Sequence, residues 1–303
     1  MCMKKIIIFR REDYGVGSAT GRFLISELKK KGIHEYIDAF YEDVIFSLEG
    51  PEVKLYLYNK EGGTIFDIKI SDLVYLRGFS NNDTRHCIAH FCADNHIEIL
   101  NTENKLTSPA SKLAQYYAFA LNGVPYPNTI AVYPKNVAFA VKRFNIKYPF
   151  ILKSAETRGG NDNYLISDEA YLMNILQNLN NDSIFIIQKY IKNNGDYRVI
   201  TFNNEVLLVY MRESNGNSHV NNVAKGARRV LIDKISDDMR DIALGASKAL
   251  NREISGVDII MDKNGSSYVL EVNFNFGISQ EDDGIQNIII NKLSDAFDSF
   301  VNK

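Results

Sequence analysis

Apolar and polar positions recur along this chain with two periods, and the changes of period divide it. Residues 4–9 hold the continuous run Lys5-Ile6-Ile7-Ile8-Phe9 and read as a buried strand. Residues 18–31 follow the loop Tyr14-Gly15-Val16-Gly17 with the spacing of an amphipathic helix. Strands are predicted at 53–58, 64–68 and 73–76, a helix at 83–95, and a short strand at 98–100. Alternation of this kind favours a partly parallel sheet flanked by helices.

A second unit begins at Thr107-Ser108-Pro109, where Ser108 suits a helix cap and Pro109 the first turn. The helix it opens, 110–121, should stop at Asn122-Gly123. Pro125 and Pro127, a strand at 129–132 and a helix around 136–144 come next. From Pro149 onward the pattern is strand, glycine-containing loop, strand, helix, strand, then a run of strands: α+β and mostly antiparallel. A helix at 285–301 closes the chain.

The densest chemistry lies in the last third. Gly256-Val257-Asp258 and Glu271-Val272-Asn273 sit in two strand-like runs, 254–261 and 267–274, joined by the turn Asp262-Lys263-Asn264-Gly265. A hairpin with that turn brings Asp258, Glu271 and Asn273 together. Residues two apart in a strand share a face, so Glu271 and Asn273 emerge together while Leu270 and Val272 should turn to the core. Three oxygen ligands on one face suit a hard cation such as Mg²⁺; the plainer alternative is a surface hairpin with ordinary polar residues. Upstream, the strand Phe150-Ile151-Leu152 ends in Lys153 and is followed by Arg158-Gly159-Gly160-Asn161-Asp162-Asn163. A fixed cation and a loop of backbone N–H groups suit phosphates, although the lysine precedes the loop and no P-loop is present. A mobile hairpin is the alternative there. A strand at 183–188 leads into Lys189-Tyr190-Ile191; Asp196-Tyr197-Arg198 opens another, a turn at Asn203-Asn204 returns the chain to Arg212, and Asn221-Asn222 and Arg228 lie beyond.

Composition narrows the function classes. With 35 basic and 37 acidic residues the formal charge is −2 and the pI about 6.2, which offers no nucleic-acid surface. The apolar runs are strand-sized, so no membrane span and no signal peptide are expected. Three cysteines, Cys2, Cys87 and Cys92, make no disulfide framework, and a cytoplasmic setting fits. His86 and His90 stand four apart on a predicted helix, yet no acidic second pole accompanies them. Arg77, after the 73–76 strand, lies where α/β sheets bind ligands and could hold a substrate carboxylate; a solvent-exposed turn arginine is the alternative. Arg228 is open to the same pair of readings.

The order of these pieces resembles the ATP-grasp superfamily, in its RimK-like carboxylate–amine ligase branch, from about residue 73 to the end, roughly three quarters of the chain. The pair Gly-Val-Asp and Glu-Val-Asn, placed after Lys153 and Gln188, is the most specific part. Ser111-Lys112 and Gly123-Val124-Pro125-Tyr126-Pro127 look like the family's entry to the nucleotide region. The resemblance implies an N-terminal Rossmann-like pre-ATP-grasp domain, 1–104, and a two-lobed ATP-grasp domain, 105–303, with its small lobe at 105–187 and large lobe at 188–303. It implies ATP and Mg²⁺ as cofactors, two ions with Mn²⁺ as a substitute. Lys112 and Lys153 would contact phosphates under a Gly159-Gly160 lid. Gln188, Lys189, Tyr190 and Ile191 would hold adenine, Asp196 would take a ribose-side role, and Asn221 and Asn222 would lie against the nucleotide. Asp258, Glu271 and Asn273 would ligate the metal, and Arg212 would face the transferred phosphoryl group. The implied reaction joins a small-molecule acid to an amine or peptide acceptor through an acyl phosphate. A kinase acting on a hydroxyl and a non-catalytic nucleotide-binding module stay open as alternatives, as does the oligomeric state, a homo-oligomer included. Departures such as Asp162 in the glycine loop, Lys189 in the hinge and Phe276 beyond the metal strand mark a divergent branch.

Overall fold

A computed structural model describes residues 3–10, 16–49, 52–59, 64–77, 82–101, 111–156, 162–179, 183–213, 228–274, 276 and 284–302. The helix cap at Ser108-Pro109, the Gly159-Gly160 loop and Asn221-Asn222 lie outside the described residues. The N-terminal unit runs β1 (Lys5–Arg10), α1 (Val16–Lys31), β2 (Glu35–Phe40), β3 (Val44–Glu49), β4 (Glu52–Asn59), β5 (Thr64–Asp67), β6 (Leu73–Leu76), α2 (Asn82–Asp94) and β7 (Glu98–Leu100). Its main sheet is parallel in the order β2-β1-β6-β7, and β3-β4-β5 form a separate antiparallel sheet. The strands β2 and β3 were not expected from the hydrophobic pattern. For β2 the reason is a charge inside the strand: it reads Glu-Tyr-Ile-Asp-Ala-Phe, and its mid-strand Asp38 is paired by Arg10 of the neighbouring β1 at 2.6 and 2.7 Å.

The second unit follows as α3 (Lys112–Leu121), β8 (Thr129–Val132), α4 (Val137–Arg143), β9 (Phe150–Ser154), β10 (Asn163–Ile166), α5 (Glu169–Leu176), β11 (Phe185–Lys189), β12 (Gly195–Phe202), β13 (Glu205–Glu213), β14 (Arg228–Ile232), α6 (Asp237–Ala249), β15 (Ile254–Met261), β16 (Ser267–Asn273) and α7 (Ile285–Val301). A four-stranded antiparallel sheet, β10-β9-β11-β8, makes a small lobe with its own core of Val137, Phe150, Leu152, Phe185 and Ile187. A five-stranded antiparallel sheet, β14-β13-β12-β15-β16, makes the large lobe.

The large sheet is covered on both faces, as the nearly unbroken burial along β12 and β15 shows. Val199, Val209, Val257 and Ile259 pack towards α3 and α6. Ile200, Phe202, Leu208, Tyr210 and Ile254 point the other way, into one core with α7, α1 and the β1–β6 face of the N-terminal sheet. The closing helix thus joins the two ends of the chain: Asp298 accepts from Tyr36 at 2.7 Å and pairs with Lys31 at 2.9 Å. Asn101, just past β7, clips the same junction, its side-chain amide bonding both the C=O (3.1 Å) and the N–H (2.9 Å) of Ile254. No helix among the described residues is long and apolar enough to cross a membrane.

Candidate functional site at the edge of the large sheet

The sheet face that packs α7 at one end turns polar at the other. Beyond Ile200 and Tyr210 the inward positions become Arg198, Asp196 and Arg212, and beyond Ile254 they become Gly256 and Asp258. The pairing register sets Arg198 directly opposite Asp258 and Asp196 directly opposite Arg212, the arrangement in which cross-strand charges interact most strongly. Arg198 clasps Asp258 with Nε and Nη2, the latter at 2.9 Å. Arg212 bridges both acids, reaching Asp258 at 3.0 Å and bonding Asp196 through Nε at 2.9 Å and through Nη2.

Glu271 stands opposite Asp258 in the β15–β16 register, and Asn273 follows on the same face. The Asn273 amide nitrogen lies 2.8 Å from Glu271 and 3.3 Å from Asp258, so the three side chains converge as the hairpin pattern leads one to expect. The expectation for Leu270 needs correction. The register passes from Ile259↔Val269 to Asp258↔Glu271, so Leu270 is an extra residue, a β-bulge. Leu270 is half-buried rather than turned into the core, while Val269, on the face strict alternation would give to the site, is fully buried. The bulge lets Val269 pack inward and Glu271 point out.

Burial and charge set the electrostatics. Burial pushes the Asp258 carboxyl up, but Arg198 and Arg212 outweigh it and hold the group below its ordinary value. Burial carries Asp196 up to about 6; Arg212 opposes the rise and the Asp258 charge adds to it. Lys153, on β9 of the small lobe, is 7% exposed, and burial lowers its ammonium to about 8 against the pull of Glu271.

Asp196, Arg212, Asp258, Glu271 and Asn273 stand together on the large sheet, the Glu271 charge acts on the Lys153 ammonium of the small lobe, and Lys153 and Gln188 both meet the Tyr116 hydroxyl. Lys112 opens α3 beside them: its N–H donates to Ala155, just after β9, at 2.9 Å. Gln188 is buried near the end of β11 and donates to Thr129 at 2.7 Å; Lys189 is exposed, and Tyr190 and Ile191 follow half-buried. Arg77 is fully buried instead of lying on an exposed turn, with Nη1 3.4 Å from Tyr75 Oη and Nη2 3.5 Å from the C=O of Phe276. Arg228 is exposed at the start of β14, the opposite edge of the sheet from β16. The rings of His86 and His90 are 4.3 Å apart, but no group of three or more His, Cys, Asp or Glu able to hold a metal occurs among the described residues.

Two residues that the sequence reading did not assign to the site are central to it. Arg198 lies within the same Asp-Tyr-Arg stretch as Asp196, and two opposite charges continuing the apolar inward row of Ile200 and Phe202 were the available signal. Tyr116 of α3 accepts from Lys153 Nζ at 3.0 Å and donates to the C=O of Leu270 at 2.6 Å. Gly256 is also explained: a Cβ there would stand 2.9 Å from Arg198 Cδ and 3.0 Å from Phe276 Cβ.

A family model described as the RimK-like ATP-grasp domain matches residues 104–296. Beta-citrylglutamate synthase B of Mus musculus is 24% identical over 183 residues, covering 59% of this chain and 47% of that protein, so the chain spans about half the length of this relative. A probable alpha-L-glutamate ligase of Coxiella burnetii is 26% identical over 208 residues, 67% of each. Among solved structures, the ATP-grasp ligase PsnB complexed with a minimal precursor is similar in fold, with a TM-score of 0.69 at 18% identity over 98% of this chain and 99% of that one.

Proposed function

Because the chain belongs to the RimK-like ATP-grasp domain family, we propose that it is an ATP-dependent carboxylate–amine ligase acting in the cytoplasm. The observation that carries this reading is the convergence of Asp258, Glu271 and Asn273 on a sheet edge faced by the buried Lys153. The donor set fits Mg²⁺: two carboxylates directly opposite each other and one amide, which presents its oxygen when turned over, are all hard ligands. Mg²⁺, as two ions and replaceable by Mn²⁺, would neutralise the nucleotide's phosphate oxygens when bound.

The remaining roles belong to the chain's own residues. Lys153 and Lys112 bind phosphate oxygens, Gln188 to Ile191 hold the adenine through backbone groups, and Asp196 serves the ribose side. Gly159 and Gly160 cover the phosphates, and Asn221 and Asn222 lie against the nucleotide. Arg212, held by Asp196 and Asp258, faces the γ-phosphoryl group and stabilises the charge that spreads over it in transfer. A carboxylate oxygen of the acid attacks the γ-phosphorus and ADP leaves. The amine then attacks the acyl carbon, phosphate departs, and the ammonium proton is lost, leaving an amide. Arg77 and Arg228 are candidate contacts for substrate carboxylates. On this reading residues 1–104 form the pre-ATP-grasp domain and 105–303 the two ATP-grasp lobes, divided near residue 188.

The test is ADP release from Mg²⁺ and ATP against pooled amino acids and peptides, with wild type beside Glu271→Ala. Turnover that requires both an acid and an amine, and disappears in the variant, is the expected result. Turnover with a hydroxyl compound alone would make it a kinase, and ATP binding without turnover in any pool would make it a binding module.

A further inference from the structure

Among the described residues β16 is the edge strand of its sheet, so its outer backbone groups have no strand partner there. Helix α3 supplies the missing partners from two consecutive residues. Gln115 Oε1 accepts from the N–H of Val272 at 2.8 Å, and Tyr116 Oη donates to the C=O of Leu270 at 2.6 Å. These two groups flank Glu271, and Leu270 is the bulged residue on which the outward aim of Glu271 depends. The same Tyr116 oxygen accepts from Lys153 Nζ at 3.0 Å, and the lysine ammonium stands 5.4 Å from the centroid of the Tyr116 ring. One phenol therefore contacts both the small-lobe lysine and the large-lobe bulge.

We propose that Tyr116 is a positioning residue that seats the Lys153 ammonium relative to Glu271, so that the cation of one lobe and the carboxylate of the other meet a nucleotide's phosphates in fixed register. This deepens the ligase reading and rests on it. The ring itself is anchored independently, at 6.0 Å from the Phe119 ring and 5.5 Å from that of Tyr126, so Tyr116→Phe removes the hydroxyl and leaves the packing. Loss of a hydrogen bond to a charged group is worth about tenfold or more in binding. A double-mutant cycle separates positioning from general support.

The measurement is the Kd of MgADP, by calorimetry on the full chain, for wild type, Y116F, K153M and the double variant. The expected result is a rise of about tenfold or more from Y116F in the wild-type background and no further rise in the K153M background. Equal affinity of wild type and Y116F overturns the proposal. So does an equal effect of Y116F with and without Lys153, which would mark the hydroxyl as plain structural support. If Y116F and the smaller Y116M both fail to fold, the hydroxyl is structural and the proposal falls as well. A wild-type chain that binds no MgADP or MgATP refutes the ligase reading itself, an outcome distinct from these.

Discussion

Replacing Lys153 with methionine should stabilise the nucleotide-free protein while weakening nucleotide binding. The side chain is buried, its ammonium is met by one phenol oxygen at 3.0 Å, and desolvation lowers its pKa to about 8 from the ordinary 10.5. At about 1.4 kcal/mol per pH unit, that gap means the folded state holds the charged lysine at a cost of about 3 kcal/mol. Methionine keeps the unbranched stem without the charge, and Tyr116 keeps its bond to Leu270. The sign in pH follows from linkage. The unfolded chain binds this proton more tightly than the folded one, so the penalty is complete below pH 8, shrinks as pH rises, and is gone above about 10.5. The assay is thermal unfolding of ligand-free wild type and Lys153→Met from pH 7 to 10.5. A higher midpoint for the variant at pH 7, with the difference closing as pH rises, is expected. A variant less stable than wild type at pH 7, or a difference independent of pH, would refute the account of a desolvated ammonium.

Gly256→Ala should cost about 1–3 kcal/mol in denaturant unfolding, because its Cβ would sit 2.9 Å from Arg198 Cδ while the Arg198 guanidinium is pinned to Asp258; unchanged stability would mean that the arginine yields freely. Asn101→Ala should cost about 3 kcal/mol, since it strands the buried N–H and C=O of Ile254. Asn101→Gly should recover about 1 kcal/mol of that, because Asn101 has φ of 62°, a left-handed conformation that glycine adopts without strain. Comparison of the two unfolding midpoints checks it.

What periodicity alone disclosed about the site lay within one hairpin; Lys153 was readable as a strand-end cation, and Gln188, Asp196 and Arg212 gained their roles only through the family resemblance. Asp258 and Glu271 are separated by a turn whose chemistry is local: Asp262 Oδ1 accepts from the N–H groups of Asn264 and Ser266, and Gly265 takes φ of 85°. Period-two alternation then fixes the face. The bulge at Leu270 was not legible, because an extra residue on one strand is defined only against its partner. Arg198 was written down with its neighbours, but its role depends on Asp258, sixty positions away in sequence. Tyr116 and Tyr117 are adjacent aromatics on one helix, and helical spacing cannot tell that the first is buried against β16 while the second is exposed. The closing helix was legible as 285–301, yet its partner face, α1 and the N-terminal sheet, was not. Short-range periodicity specifies elements; long-range charge and side-chain-to-backbone contacts specify the site.

Two of the candidate ligands, Glu271 and Asn273, lie on β16, the edge strand of the sheet among the described residues, and Asp258 lies on β15 beside it. An edge strand carries N–H and C=O groups without a strand partner, and these invite pairing with another chain. Gln115, Tyr116 and Arg252 offset that cost by bonding Val272 N–H, Leu270 C=O and Val272 C=O respectively. All three are side chains, so these edge groups are satisfied without a further strand. The charges are balanced in the same economical way: Arg198, Arg212 and Lys153 face Asp196, Asp258 and Glu271, three cations against three carboxylates. On the proposed reading, a nucleotide arriving with its divalent cations would exchange partners within this set and leave no large net charge buried, the condition under which buried ion pairs reorganise without several kcal/mol of desolvation loss. Glu271→Gln should therefore weaken divalent-ion binding, read by calorimetry with Mn²⁺ alone, more than it weakens folding; an unchanged Mn²⁺ affinity would remove Glu271 from the ligand set.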